Sequence, residues 1–359
     1  MKLYNRELEE IDNQERQDRI ASIVKSQIEF LVQTYGIDEK CLQDKAEGLA
    51  VVERHSSDAT YFAEYKGEKK ELPNSRTAAA FVTMKKQEYD GDKWNFENGV
   101  YMSDANSEHK IIHELFHFFS QKQQMRFDEN GVGYAKSGVS ISGYDREDNL
   151  VDSSLNANGL NEGITELLAT KIDTGSKPEG YDFQAYIADI LISNQHNSLL
   201  EAYFSDDEKD FQNFLEEFDK QQKTISSKKL IGMSKNGQIV ADTELLKGCL
   251  EYALSFCKDM DELKAERKRL LPIFRNMSSN PNIEFDIEQF DLKRFFDDVL
   301  MQKRAEIEAL SQTDSQALLN SAIEATEGTT RVETMNSQAG TIKELAKGKD
   351  EKQKGTEIG

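Results

Sequence analysis

Two histidines and a glutamate stand in the pentapeptide His113-Glu114-Leu115-Phe116-His117 at a spacing that suits a metal site. On a helix, residues four apart lie on one face, so both imidazoles can reach the same ion. Zinc takes neutral histidine nitrogen and carboxylate oxygen as ligands. Glu114 can take a proton from a metal-bound water as a general base. The pentapeptide therefore predicts a hydrolytic zinc centre; the alternative is a buried helix whose histidines are satisfied by core hydrogen bonds.

A second acidic motif, residues 161–166 with the sequence NEGITE, lies on a helix predicted over 160–172. Glu162 and Glu166 are four residues apart, so both carboxylates face the same way. Glu162 can supply a third zinc ligand, and Glu166 can accept a hydrogen bond from the free ring nitrogen of a ligand histidine. The reverse assignment of the two glutamates is an alternative, and so is an ordinary acidic first turn. Gly163 is expected to leave room near the metal.

Together the two motifs resemble those of the gluzincins, the thermolysin-like clan of zinc metallopeptidases. In that clan one helix bears His-Glu-x-x-His, and a second bears Asn-Glu-x-x-x-Asp/Glu, whose first acid is the third zinc ligand. The resemblance implies one zinc ion per chain held by His113, His117 and Glu162, with Glu114 as the base and Glu166 orienting His113. It covers the motifs and their flanks. The stretch between them is longer than in thermolysin, which predicts an insertion.

The predicted insertion is a β-hairpin over about 127–160. Val139 and Ile141 alternate with serines, a period-two strand pattern, and 150–155 can return as a second strand after a polar turn. Such a hairpin would shape a substrate groove or act as a flap. Near its tip stand Tyr144 and Arg146, which either stabilise an oxyanion, a role that some clan members give to Tyr or His, or are surface turn residues.

The residues before the first motif predict a strand over 98–104 and a helix over 106–124. Asp104, Asn106 or Ser107 can cap that helix, and its apolar residues occupy nearly every side, so it should be buried. Members of the resembled clan place an edge strand before the zinc helix, to which substrate adds by backbone pairing. The strand over 98–104 is expected to play that part.

The rest of the chain predicts an α+β fold, with a strand-bearing N-terminal lobe, a mostly helical C-terminal lobe and the zinc helix between them. An amphipathic helix is predicted over 14–35, with Gly36 as its stop. The tail is poor in large apolar residues and is expected to be disordered, apart from a weak helix near 317–325. The predicted segments are an N-terminal helical segment at 1–47, a zincin-like core at 48–175, a helical lobe at 176–310 and the tail at 311–359.

Charge and hydropathy narrow the classes of function. Acidic residues number 66 against 45 basic ones, a net charge of −21, which argues against nucleic acid as a partner. No stretch has the apolar length of a membrane span, and the first residues contain no apolar signal region. Cys41, Cys249 and Cys257 lack a metal-binding spacing and are expected to be reduced thiols. We therefore expect a cytoplasmic protein, with delivery to another compartment or cell left open.

Three classes of function remain. The first is a zinc metallopeptidase acting on a peptide or protein substrate, the second a zinc hydrolase of a non-peptide amide, and the third a non-catalytic interaction protein. An intact Glu114 argues against the third, because loss of the base is the simplest route to an inactive enzyme. Of the other histidines, His196 is a candidate transition-state donor. His109 shares the helix face of His113, so it either lies near the site or, as we expect, is a solvent-exposed residue of the first helical turn.

Overall fold

The computed structural model describes residues 1–54, 60–65, 68–73, 80–89, 93–103, 107–122, 124–147, 149–173, 178, 180–193, 197–234 and 240–313. Within these ranges the chain combines many helices with small sheets, so the predicted α+β class is confirmed. None of the described helices combines the length and the apolar composition that a membrane span requires. The three cysteines are free thiols, as expected.

The elements up to the first motif are β1 (Lys2–Tyr4), α1 (Gln14–Tyr35), α2 (Glu39–Glu47), β2 (Ala50–Arg54), β3 (Thr60–Tyr65), β4 (Glu68–Pro73), β5 (Ala80–Tyr89), β6 (Lys93–Ser103) and α3 (Glu108–Phe119). The elements that carry the chain to the second motif are β7 (Gln124–Arg126), β8 (Gly133–Ser137), β9 (Ser140–Tyr144), β10 (Leu150–Leu155) and α4 (Asn158–Ile172). The remaining described elements are α5 (Asp182–Leu191), α6 (Ser198–Phe204), α7 (Glu208–Gln221), α8 (Ser227–Ile231), β11 (Val240–Ala241), α9 (Thr243–Ser255), α10 (Met260–Ser278), β12 (Glu284–Phe285) and α11 (292–313).

The main sheet has the strand order β1-β2-β6-β5, with β7 paired to the start of β6. Strands β1, β2 and β6 are parallel, and β5 runs antiparallel to β6. In β6, Gly99 pairs with Ala50 on one side and with Val82 on the other. The expectation of an edge strand before the zinc helix is therefore wrong for this segment, because β5 folds back along β6 and covers its second side.

Helices α1 and α2 pack against the helix of the first motif. Helix α1 matches its predicted bounds and ends at Gly36, whose φ of 69° is left-handed. The buried Gln27 side chain donates a hydrogen bond to Ile112 O at 2.8 Å. From α2, the Lys45 ammonium donates to Phe119 O at 3.0 Å and to Phe204 O at 3.3 Å. Both donors thus reach α3 from helices that precede it in the chain.

Helix α3 is shorter than predicted. It begins after Ser107, whose hydroxyl accepts from Lys110 N and caps the helix, while the other two candidate caps lie outside the described residues. It ends at Phe119 rather than at 124, because residues from Gln124 onward form β7 and pair with β6. Its apolar side chains are buried on every side, as the sequence predicts.

The predicted hairpin is present as part of a three-stranded antiparallel sheet, β8-β9-β10. The sequence predicted β9 and β10 but not β8. In the structure β9 and β10 pair with Leu150 opposite Tyr144. The β8–β9 turn is fixed on α4: Val139 N donates to Asn161 Oδ1 at 3.2 Å, and Val139 is fully buried. Gly138 has a φ of +58° there, and a Cβ would lie 1.8 Å from Asn161 Oδ1. This end of the sheet is therefore attached to α4.

Helix α4 starts within two residues of its predicted position and ends where predicted. Gly163, however, does not serve to leave room near the metal. A Cβ on it would lie 2.4 Å from Gln184 O, so this glycine lets the backbones of α4 and α5 approach closely. The rest of the chain is mostly helical, as expected. Helix α11 runs to residue 313, past the predicted start of the tail, and the weak helix near 317–325 lies outside the described residues.

Candidate metal centre

Three side chains of α3 and α4 converge on one point. Glu162 Oε2 lies 3.3 Å from His113 Nε2 and 3.2 Å from His117 Nε2. One ligand atom from each residue lies within 4.8 Å of the other two, which is close enough to hold a single ion. The helical spacing of the histidines brings both rings to the face that meets α4. Two nitrogens and a carboxylate oxygen are the donor set that a catalytic zinc takes from a protein.

The centre is buried on the histidine side and more open on the side of the glutamate. The side chains of His113 and His117 are 9% and 10% exposed, and that of Glu162 is 19% exposed. Although burial opposes it, hydrogen bonds with the two histidines hold the pKa of Glu162 well below its ordinary value. Glu162 is therefore a carboxylate at neutral pH, and the partly open side leaves access for water or a substrate.

His113 is oriented by a buried carboxylate. Glu166 Oε2 lies 2.8 Å from His113 Nδ1, and Glu166 is 1% exposed. Since a carboxylate only accepts, Nδ1 carries a hydrogen, and Nε2 is the nitrogen that can bind an ion once its own hydrogen is lost. Burial lowers the pKa of His113, but hydrogen bonds to Glu162 and Glu166 outweigh it and raise the pKa to about 10. The centre thus attracts positive charge strongly.

His109 was expected to be solvent-exposed, and this expectation is wrong. It is 3% exposed, and its Nε2 lies 3.0 Å from Glu166 Oε1. Its Nδ1 lies 3.7 Å from Asp173 Oδ2. His109 lies on the face of α3 that meets α4, so it is covered although it stands in the first turn. The sequence did carry the signal, since His109, His113 and His117 repeat every four residues on one face.

His117 is oriented by a hydroxyl instead. Thr165 Oγ1 lies 3.4 Å from His117 Nδ1 and 2.6 Å from the hydroxyl of Tyr203. Both partners are fully buried. The two candidate ligand histidines therefore have chemically different partners, one charged and one neutral.

Tyr181 is a neighbour of the centre that the sequence did not reveal. Its ring stacks on His113 with 5.9 Å between centroids and 19° between planes. Burial first, and then the charges of Glu162, Glu114 and Glu166, raise its pKa to about 12. Tyr181 is half-buried, and within the described residues its hydroxyl has no hydrogen-bond partner. Its hydroxyl is therefore protonated at neutral pH and can donate a hydrogen bond to a molecule bound beside the candidate ligands.

The remaining candidates are the base Glu114 and the oxyanion donors Tyr144, Arg146 and His196. Glu114 is half-buried on α3, and its charge contributes to the raised pKa of His113. Tyr144 is half-buried in β9, opposite Leu150 and Gly133. Arg146 is exposed in the following turn, with its guanidinium 5.5 Å from the centre of the Phe127 ring. His196 lies outside the described residues.

Comparisons of the chain with protein-family models, curated proteins and solved structures found no match.

Proposed function

We propose that the protein is a zinc metallopeptidase of gluzincin type that hydrolyses peptide bonds in a peptide or protein substrate. One observation carries the proposal: Nε2 of His113, Nε2 of His117 and one oxygen of Glu162 meet within 4.8 Å, while the other side of each ring is engaged by a buried partner. Zinc can replace the hydrogens that these three atoms share, and the donor types suit it.

The residues around the centre divide the work of hydrolysis. Bound zinc would polarise the scissile carbonyl and lower the pKa of its water. Glu114, next to a ligand but outside the ligand set, takes the proton of that water on its carboxylate and later passes it to the leaving amine. Glu166 keeps His113 oriented with Nε2 toward the centre. This assignment makes Glu114 the only one of the three glutamates with a direct role in proton transfer.

Tyr181 is the donor that we assign to the oxyanion formed when water adds to the carbonyl. A pKa of about 12 keeps its hydroxyl protonated at neutral pH. A positioned neutral donor is worth roughly 10²–10³-fold in rate where charge develops. It is preferred to Arg146, which is exposed and stacked over Phe127.

We also propose that the centre lies between a strand-bearing lobe and a helical lobe, and that the protein is cytoplasmic.

The proposal is tested with the purified full chain. Elemental analysis should find about one zinc ion per chain, and a mixture of quenched fluorescent peptides should be cleaved. Glu114→Gln should retain zinc and lose at least about 10²-fold in hydrolysis, because an amide cannot accept the proton of the water. Cleavage of acyl amides but not of peptides would favour the non-peptide hydrolase. Absence of zinc after mild purification, with no zinc uptake on titration, would refute the proposal.

A further inference from the structure

Glu166 is shared between two histidines of α3. Its Oε2 lies 2.8 Å from His113 Nδ1, and its Oε1 lies 3.0 Å from His109 Nε2. Since a carboxylate only accepts, both ring nitrogens donate a hydrogen to it. Glu166 is 1% exposed and His109 is 3% exposed, so both bonds are shielded from solvent. Each oxygen of this buried carboxylate is therefore held by a side chain of the same helix.

The bond from His109 limits how the carboxylate of Glu166 can turn. The last torsion of a glutamate side chain is broad, so a hydrogen bond to one oxygen alone leaves the plane of the carboxylate free to rotate. A second donor on the other oxygen, from a ring that is itself buried, fixes that plane. Oε2 then stays where His113 reaches it. His109 thus stands to Glu166 as Glu166 stands to His113.

We propose that His109 is a positioning residue of the metal centre, which acts through Glu166 to hold His113 with Nε2 toward the ion. The inference rests on the proposed metal centre and adds to it a residue that contacts neither the ion nor the substrate. It gives a role to a histidine that is buried in the first turn of α3 yet lies outside the set of candidate ligands. The bonds to Glu166 use Nδ1 of His113 and not the nitrogen that would bind the ion, so the metal-free and the metal-bound protein can both form them.

Two amide substitutions separate positioning from packing. The amide nitrogen of glutamine can take the place of Nε2 of His109, which donates to Glu166. The shorter side chain of asparagine places its amide near the position of Nδ1, which faces Asp173 Oδ2 at 3.7 Å. His109→Gln should therefore bind zinc within a few-fold of wild type. His109→Asn and His109→Leu should weaken zinc binding about 10-fold in competition with a chromophoric chelator, the low end for loss of an outer partner.

Gln27→Leu is the matched control. Gln27 is fully buried, and its side chain also bonds to α3, but it donates to a backbone carbonyl, Ile112 O, rather than to Glu166. The zinc affinity of Gln27→Leu should equal that of wild type, whatever the substitution does to the urea midpoint. The proposal is overturned if His109→Leu and Gln27→Leu bind zinc equally well, since burial alone would then explain His109.

A double variant tests whether His109 acts through Glu166. If it does, adding His109→Leu to Glu166→Ala should weaken zinc binding no further, because the carboxylate that His109 holds is already gone. Fully additive losses would overturn the proposal, and so would a loss in His109→Gln as large as that in His109→Leu. If His109→Leu fails to fold, His109→Asn takes its place in the same comparison.

The failure of the proposed function would look different. A wild-type protein that binds zinc but cleaves neither peptides nor other amides would refute the proposed function, and the zinc affinities would still decide the role of His109. A wild-type protein that takes up no zinc would refute the metal centre and this inference together.

Discussion

Zinc binding should release about one proton at neutral pH, because His113 is an imidazolium in the metal-free protein. Burial opposes this charge, but hydrogen bonds to Glu162 and Glu166 raise the pKa of His113 from 6.5 to about 10. At pH 7 the proton therefore occupies His113 in nearly every molecule, and zinc must displace it to reach Nε2. The zinc affinity should rise about tenfold per pH unit, and about 10³-fold between pH 7 and 10.

The assay is isothermal titration calorimetry of the metal-free protein between about pH 6.5 and 8.5, in buffers of different ionisation enthalpy. Glu166→Gln is the comparison variant. It removes one of the carboxylates that hold the proton, so the pKa of His113 should fall and proton release near pH 8 should drop below that of wild type. A zinc affinity that is flat over this range, with no proton released, would show that His113 is neutral in the metal-free protein and would refute the prediction.

The raised pKa of His113 should also make the metal-free protein less stable as the pH rises, whereas it makes the zinc affinity increase with pH. A raised pKa in the folded state contributes stability that is fully present below 6.5 and is lost as the pH rises toward about 10. The free energy of unfolding of metal-free protein should therefore decline over this window. Zinc-loaded protein, in which His113 must be neutral, should not show that decline.

Three further predictions follow from the site and its supports. Glu162→Ala should remove zinc, while Glu166→Ala should weaken its binding only about 10- to 100-fold; metal titrations that ranked them in the reverse order would exchange their roles. Tyr181→Phe should keep zinc and lower kcat by about 10²-fold with little change in KM, and an unchanged kcat would remove Tyr181 from the mechanism. Gly163→Ala should cost about 1–3 kcal/mol in urea unfolding, because its Cβ meets the Gln184 carbonyl at 2.4 Å; an unaltered midpoint would contradict the close approach of α4 and α5.

Local patterns in the sequence predicted the elements that depend on local physics. The apolar stripe and Gly36 gave the bounds of α1, and the four-residue spacings placed the candidate ligands on two facing helices. What failed depends on contacts between distant segments. The pairing of β5 outside β6 and the approach of Tyr181 to His113 are set by tertiary packing. No periodicity within a short window records such contacts.

The two hydrogen bonds that α1 and α2 donate to α3 limit how far the chain can be shortened from its N-terminal end. Gln27 adds a hydrogen bond to the carbonyl of Ile112 in mid-helix, and the ammonium of Lys45, 3% exposed, donates to that of Phe119 at the helix end. Cutting away residues 1–47 would remove both donors and expose the apolar face that α1 covers. The first 47 residues are therefore part of the smallest fragment that can fold around the two motifs, and a truncation meant to isolate the centre must keep them.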